Sequence, residues 1–258
     1  MLKMLKYEYR RALAPLFIIF ILFGFEELYF LISTAMQKET HTTIATSLFV
    51  MLSFGCYIFV LIYGIVSYNR DLKNKEGYLV FMAPISSFQI LGAKLLSILL
   101  TGITLVGAIF LFGSINYSFA ASVYHFEGFI DFLKMGFESL GTSLASIVGG
   151  VLGFIIAFLI EFFMTVTIGY LAISLGSTVL QNKKIKSFAS FVLFIVLTGV
   201  VNGIAVSLPN MKNTARLAEV NDLSSMLLYM APQLGVYLLV AVLCYIGSSF
   251  LLEKKISL

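Results

Sequence analysis

The sequence predicts an all-α membrane protein of six transmembrane helices with both termini on the cytoplasmic side. Three observations carry that prediction. First, 60% of the 258 residues are hydrophobic and only 12% are charged, whereas a soluble domain is about half apolar and about a quarter charged. Second, six apolar runs reach the ~20 residues that a helix needs to cross the hydrocarbon core. They fall at about residues 15–36, 45–68, 89–114, 147–179, 187–207 and 230–252. Third, the basic residues are distributed unevenly between the two sides that this count defines. Lys3, Lys6, Arg10, Arg11, Arg70, Lys73, Lys75, Lys94, Lys183, Lys184, Lys186, Lys254 and Lys255 share the cytoplasmic side. Lys38, Lys134, Lys212 and Arg216 take the other, which is the positive-inside bias.

Residues 1–13 open the chain as an interfacial helix. Leu2, Leu5 and Tyr9 share one face and Lys3, Lys6 and Arg10 another, a pattern suited to anionic headgroups. The basic start and apolar continuation resemble a signal peptide. However, the apolar run is too long, holds Glu26-Glu27 and lacks a small-residue cleavage site, so it is expected to stay as a span. Pro15 is expected to turn the chain into that span. The stretch 143–180 is long enough to tempt a division into two spans. Dividing it would move Lys183, Lys184 and Lys186 outside, so one long span with an extension is expected. Outside the membrane, 117–142 spaces Glu127, Asp131, Lys134 and Glu138 three or four apart, with phenylalanines between. That pattern predicts an amphipathic surface helix. Residues 208–229 turn from polar to apolar before Pro232, which suggests a short re-entrant or surface helix ahead of the last span. No internal repeat or low-complexity linker divides the chain, so 1–258 reads as a single transmembrane domain.

Catalytic signatures are missing. The chain has no GxxxxGK[ST] phosphate loop and no HExxH. Its two histidines, His41 and His125, fall in outer loops, away from any serine or cysteine within the membrane, which makes an intramembrane hydrolase a poor fit. Cys56 and Cys244 sit inside apolar runs and read as buried small hydrophobes. No metal site, bound cofactor or nucleic-acid partner is expected.

Two features carry functional information. One is the loop Asn69–Lys94, NRDLKNKEGYLVFMAPISSFQILGAK. Basic residues lead into Glu76-Gly77 and then the apolar run Tyr78 to Ala83. Pro84 stops any helix there. Ser86 reads as an N-cap with Gln89 as the second half of a capping box. The contiguous side chains Tyr78, Leu79, Phe81 and Met82 need cover, either a partner's cleft or the headgroup layer. Docking on a partner protein is the favoured reading, with simple membrane anchoring the alternative. The other feature is Glu26, Glu27 and Glu161, carboxylates at membrane depth. Glu26 lies about 15 Å beyond Pro15 on a 1.5 Å rise per residue. A lone charge there costs at least ~2.5 kcal/mol. The three either line a translocation path favouring cationic or amphipathic cargo, or are neutral structural acids at helix contacts. Gly149-x-x-x-Gly153 and Gly199-x-x-x-Gly203 permit close helix approach.

The segment Glu76-Gly77-x-Leu79-x-x-x-x-Pro84-x-Ser86, followed by Gly92-x-Lys94, resembles the permease subunits of type-2 ATP-binding-cassette exporters. Tyr78 stands where many relatives carry a small hydroxyl residue. The resemblance implies that residues about 75–83 form a coupling helix, with Glu76, Gly77, Tyr78, Leu79, Phe81, Met82 and Pro84 meeting a separate cytoplasmic ATPase. It also implies that ATP and magnesium are bound by that partner, that two permease subunits pair, and that the chain lies in a bacterial plasma membrane. Two other classes stay open on the residues alone. One is an ion-coupled secondary transporter using Glu26 or Glu161. The other is a non-transporting membrane protein that senses, or gives immunity to, a peptide.

Overall fold

The computed structural model describes residues 2–73, 86–126, 128–140, 144–179, 186–208 and 223–256. Among them 95% are helical and no strand occurs. The helices are α1 (Leu2–Ala35), α2 (Glu39–Lys73), α3 (Ser87–Tyr124), α4 (Phe129–Leu140), α5 (Leu144–Val179), α6 (Lys186–Val206) and α7 (Leu223–Ile256). All except α4 contain a window long and apolar enough to cross a membrane. Six candidate spans therefore stand where six were expected, and the chain is a multi-pass membrane protein. The long stretch 143–180 holds one helix, α5, whose 36 residues extend ~54 Å at 1.5 Å per residue.

Two expected breaks are absent. Helix α1 runs through Pro15 without interruption, so residues 1–13 are not a separate surface helix. Helix α7 likewise runs through Pro232, and the described part of the segment before it, from Leu223, is the first turns of the last span. An internal proline removes one backbone bond, the one to the carbonyl four residues back. Ala12 and Leu16, buried on either side of Pro15, pack tightly enough to keep the helix continuous. The amphipathic surface helix is shorter than expected. Residues 117–124 belong to the end of α3, and α4 carries the remainder. Lys134 pairs with Asp131 at 3.0 Å on its exposed side.

The join between α1 and α2 is tight and has an identifiable cause. Gln37 takes a left-handed φ of 53°. Its N–H donates to the Thr34 carbonyl at 3.0 Å and that of Lys38 to the Ser33 carbonyl at 3.2 Å. This pair of bonds is the Schellman termination of a helix. Thr42 then donates to the Lys38 carbonyl at 3.0 Å and begins α2.

The chain forms two compact units, and α2 and α3 contribute to both. Unit 1 comprises Met1–Tyr63 and Leu96–Phe137. In it Phe23 of α1 stacks on Phe112 of α3 at 5.5 Å and meets Phe49 of α2 edge-on at 5.9 Å. The Tyr9 and Thr104 hydroxyls bond at 2.9 Å. Helix α4 docks through Phe129, which packs on Phe110 and Tyr117 of α3. Unit 2 comprises Gly64–Leu95 and Glu138–Leu258. Helix α5 lies against both α6 and α7. Met164 and Ile168 of α5, Val201 and Ala205 of α6, and Tyr237 and Cys244 of α7 form a buried core. Cys56 and Cys244 are both buried free thiols, as expected. Between helices in a bilayer, fit and hydrogen bonds do the holding, because lipid is as apolar as leucine.

Candidate functional site

Residues Glu76, Gly77, Tyr78, Leu79, Phe81, Met82 and Pro84 lie outside the described residues, as does the whole of the expected helix 75–83. The two helix ends that carry this segment are described, and both belong to unit 2. Ser86 caps α3 as its sequence predicts. The Gln89 N–H donates to Ser86 Oγ at 3.4 Å and the Ile90 N–H to the Ser86 carbonyl at 3.1 Å.

A buried ion pair then ties the two ends together. Lys94 Nζ of α3 donates to Asp71 Oδ2 of α2, and the side chains are 2% and 4% exposed. Taking both charges out of water is costly, so such a pair persists only where its geometry is well made. The joined ends are held in turn against the rest of unit 2. The Tyr68 hydroxyl of α2 and the Ser174 hydroxyl of α5 bond at 2.6 Å, with the Tyr68 ring 4.5 Å from that of Tyr170. The Tyr245 hydroxyl of α7 donates to the Phe88 carbonyl of α3 at 2.7 Å. Gly169 of α5 admits Ile65 of α2 so closely that a Cβ there would lie 2.8 Å from Ile65 Cγ1. The ends of α2 and α3 are thus tied to α5 and α7 by hydroxyl and ring contacts.

The three carboxylates are divided between the units. Glu161 stands exposed on α5 and faces a cavity of about 80 Å³ between α5 and α7. Phe154, Phe158 and Met230 supply its apolar wall, and Gln233 and Tyr237 its other polar groups. Gln233 Nε2 donates to Tyr237 Oη at 2.7 Å, and the Tyr237 hydroxyl donates to Asn202 Oδ1 of α6 at 2.8 Å. That chain of bonds fixes the ring and leaves the Glu161 carboxylate facing the cavity. The arrangement suits a ligand with one cationic or polar end and an apolar body, since few polar groups in an apolar wall set orientation. Glu26 and Glu27 are both buried in unit 1. The Asn116 amide nitrogen of α3, turned toward Glu27, donates to its two carboxylate oxygens at 3.3 and 3.2 Å. Both Glu26 oxygens are without a hydrogen-bond partner.

Sequence reasoning missed Asp71 and Asn116, for one reason. Spans two and three were ended at 68 and 114, but the helices continue to Lys73 and Tyr124, so both residues were assigned to loops. An asparagine two residues, and an aspartate three residues, beyond the estimated ends of their spans were the available signals. The glycine expectation holds in part. Gly153 meets the Leu227 side chain, whereas Gly149, Gly199 and Gly203 face open space. The tight positions are Gly153, Gly169 and Gly247.

Comparison with known proteins gives no match: no family model fits the sequence, and no curated protein or solved structure is similar to it.

Proposed function

We propose that this chain is the membrane subunit of an ATP-binding-cassette exporter, moving an amphipathic or hydrophobic substrate such as a peptide, antibiotic or lipid-like molecule. A separate cytoplasmic ATPase drives it. Two permease subunits, identical in the simplest case, form the path across a bacterial plasma membrane, with both termini on the cytoplasmic side. The observation that carries the reading is the apolar segment Tyr78–Ala83 with its Glu76-Gly77 start and Pro84 stop, set between two helix ends that Lys94 and Asp71 join. Such a segment has the chemistry of a docking knuckle, and the joined ends give it a route for force. Leu79, Phe81 and Met82 anchor in the ATPase groove, and Glu76 pairs with its surface. ATP-driven closure of the partner moves the knuckle, and α5 and α7 move with the ends that carry it. The cavity at Glu161 would then change shape, which places a cationic or polar cargo group there.

The test is purification of the chain from its native membrane, followed by reconstitution with any Walker-type ATPase that comes with it. Copurification and substrate-stimulated hydrolysis are expected. Replacing Leu79, Phe81 and Met82 together by alanine should weaken the complex at least ~30-fold, as removal of interface anchors worth ~2 kcal/mol or more does. A chain that transports on an ion gradient with no ATPase bound would refute the reading.

A further inference from the structure

The cavity between α5 and α7 is amphipathic along its length, and the direction of the two helices makes it so. Gly153 of α5 meets Leu227 of α7, and Gly247 of α7 meets Leu171 of α5. Early residues pair with early and late with late, so the two helices run in the same direction. Glu161, eight residues past Gly153, therefore lies level with about the eighth residue past Leu227, between Gln233 and Tyr237. All three line the cavity. Phe154 and Leu227 line it too, about 10 Å along the axis from Glu161 at 1.5 Å per residue. One end is polar and the other apolar.

The polar end has one formal charge, and it is negative. No lysine, arginine or histidine lines the cavity. Among the described residues the Glu161 carboxylate takes part in no ion pair or hydrogen bond, and the Thr165 hydroxyl donates only to the Glu161 backbone carbonyl. The Tyr237 hydroxyl gives its hydrogen to Asn202, and Gln233 gives an N–H to Tyr237. What these groups have left is mostly acceptor oxygen: two from the carboxylate and one from the amide, against one amide N–H. Glu161 lies within a candidate span, where a carboxylate that stands alone is costly. A cation that carries N–H groups answers it with charge-assisted hydrogen bonds. A phosphate beside that cation finds no counter-charge here, so a phospholipid headgroup does not fit. The volume sets the length of the ligand. About 80 Å³ is roughly five to eight water positions at ~10–15 Å³ each, or roughly the seven non-hydrogen atoms of hexylamine.

We propose that this cavity binds a primary alkylamine, with the ammonium on Glu161 beside Gln233 and Tyr237 and the carbon chain toward Phe154 and Leu227. Calling that ligand cargo rests on the exporter reading; its binding needs no ATPase.

The experiment measures thermal unfolding of the purified full-length chain in detergent near neutral pH. Hexylamine, hexyltrimethylammonium, hexanol and hexanoate are compared at one ionic strength. Hexylamine is expected to raise the midpoint saturably. Hexyltrimethylammonium has the charge and no N–H, and should bind at least ~10-fold more weakly, the size of a lost charge-assisted hydrogen bond. Hexanol and hexanoate should give no saturable rise. Glu161→Gln should lose the hexylamine effect. Ala157→Leu, which fills the apolar part, should lose it with the carboxylate intact, and Gly199→Ala, at an open position on α6, should keep it. If Glu161→Gln does not fold, equilibrium dialysis of radiolabelled hexylamine against the unaltered chain, with the other three compounds as competitors, decides the matter. Equal binding of hexylamine and its trimethyl analogue, equal binding of hexylamine by the native and Glu161→Gln chains, or no saturable binding overturns the proposal. Such a failure in a chain that still copurifies with an ATPase leaves the exporter reading standing, and hexylamine binding by a chain without an ATPase leaves the site standing without it.

Discussion

Each unit buries charge in its own way. In unit 2, Lys94 and Asp71 are removed from water together and answer each other directly. In unit 1, Glu26 is nearly as deeply buried, and its oxygens answer to nothing among the described residues. Both arrangements cost desolvation. The first recovers it inside the protein and makes a fixed joint between two helices. The second finds no such recovery among the described residues. A matched pair fixes two helix ends to each other, and an unpartnered acid fixes nothing.

The largest expected effect breaks the matched pair. Lys94→Ala takes the Lys94 ammonium from the buried Asp71 carboxylate, and should cost ~3–5 kcal/mol of stability, read as a lower unfolding midpoint in detergent. Exchanging the charges, Asp71→Lys with Lys94→Asp, should restore much of that loss. If the single and double variants are equally unstable, the two residues do not act as a pair. Glu26→Gln should behave in the opposite sense. It keeps the shape and removes a buried acid whose oxygens meet no donor among the described residues, so stability should rise, by no more than the ~2.5 kcal/mol that is the lower cost of a carboxylate at a helix centre. A loss as large as that of Lys94→Ala would show that Glu26 has a partner after all, and the contrast between the units would fail.

Much of this was legible in the sequence. Six spans, the single helix at α5 and the Ser86 cap follow from apolar length, charge bias and a Ser-x-x-Gln spacing, which are local properties. Pro15 and Pro232 misled because proline was weighed as a break, whereas one lost backbone bond inside a helix of 34 residues leaves it continuous. The 23-residue separation of Asp71 and Lys94 is a tertiary fact. Positive-inside counting treated Lys94 as a solvated charge, which is how most lysines end up, and no periodicity within either helix points to the other. The Glu161 cavity was half visible. The carboxylate stood out in its apolar run, but Gln233, Tyr237 and Asn202 come to it from α6 and α7.

A smaller effect tests whether unit 2 is a rigid joint by fit as well as by charge. Gly169→Ala puts a methyl carbon 2.8 and 2.9 Å from two carbons of Ile65. Ile65 is β-branched and stiff at χ1, so α2 must shift, and overpacking of this kind costs ~1–3 kcal/mol. Gly199→Ala, at an open position on α6, should be silent. Equal outcomes at the two sites would mean that α2 is not closely seated on α5.

The smallest effect is the most discriminating about mechanism. Tyr68→Phe keeps the ring on Tyr170 and deletes only the bond to Ser174. Hydrogen bonds between membrane helices average ~0.6 kcal/mol, so the midpoint should scarcely move. If α2 passes force to α5 through this contact, the coupling of ATP hydrolysis to transport should fall while ATPase binding stays unchanged. Ser174→Ala should give the same phenotype, and the double variant should add nothing further, because both changes remove one bond. Additive losses would place the two hydroxyls on separate routes.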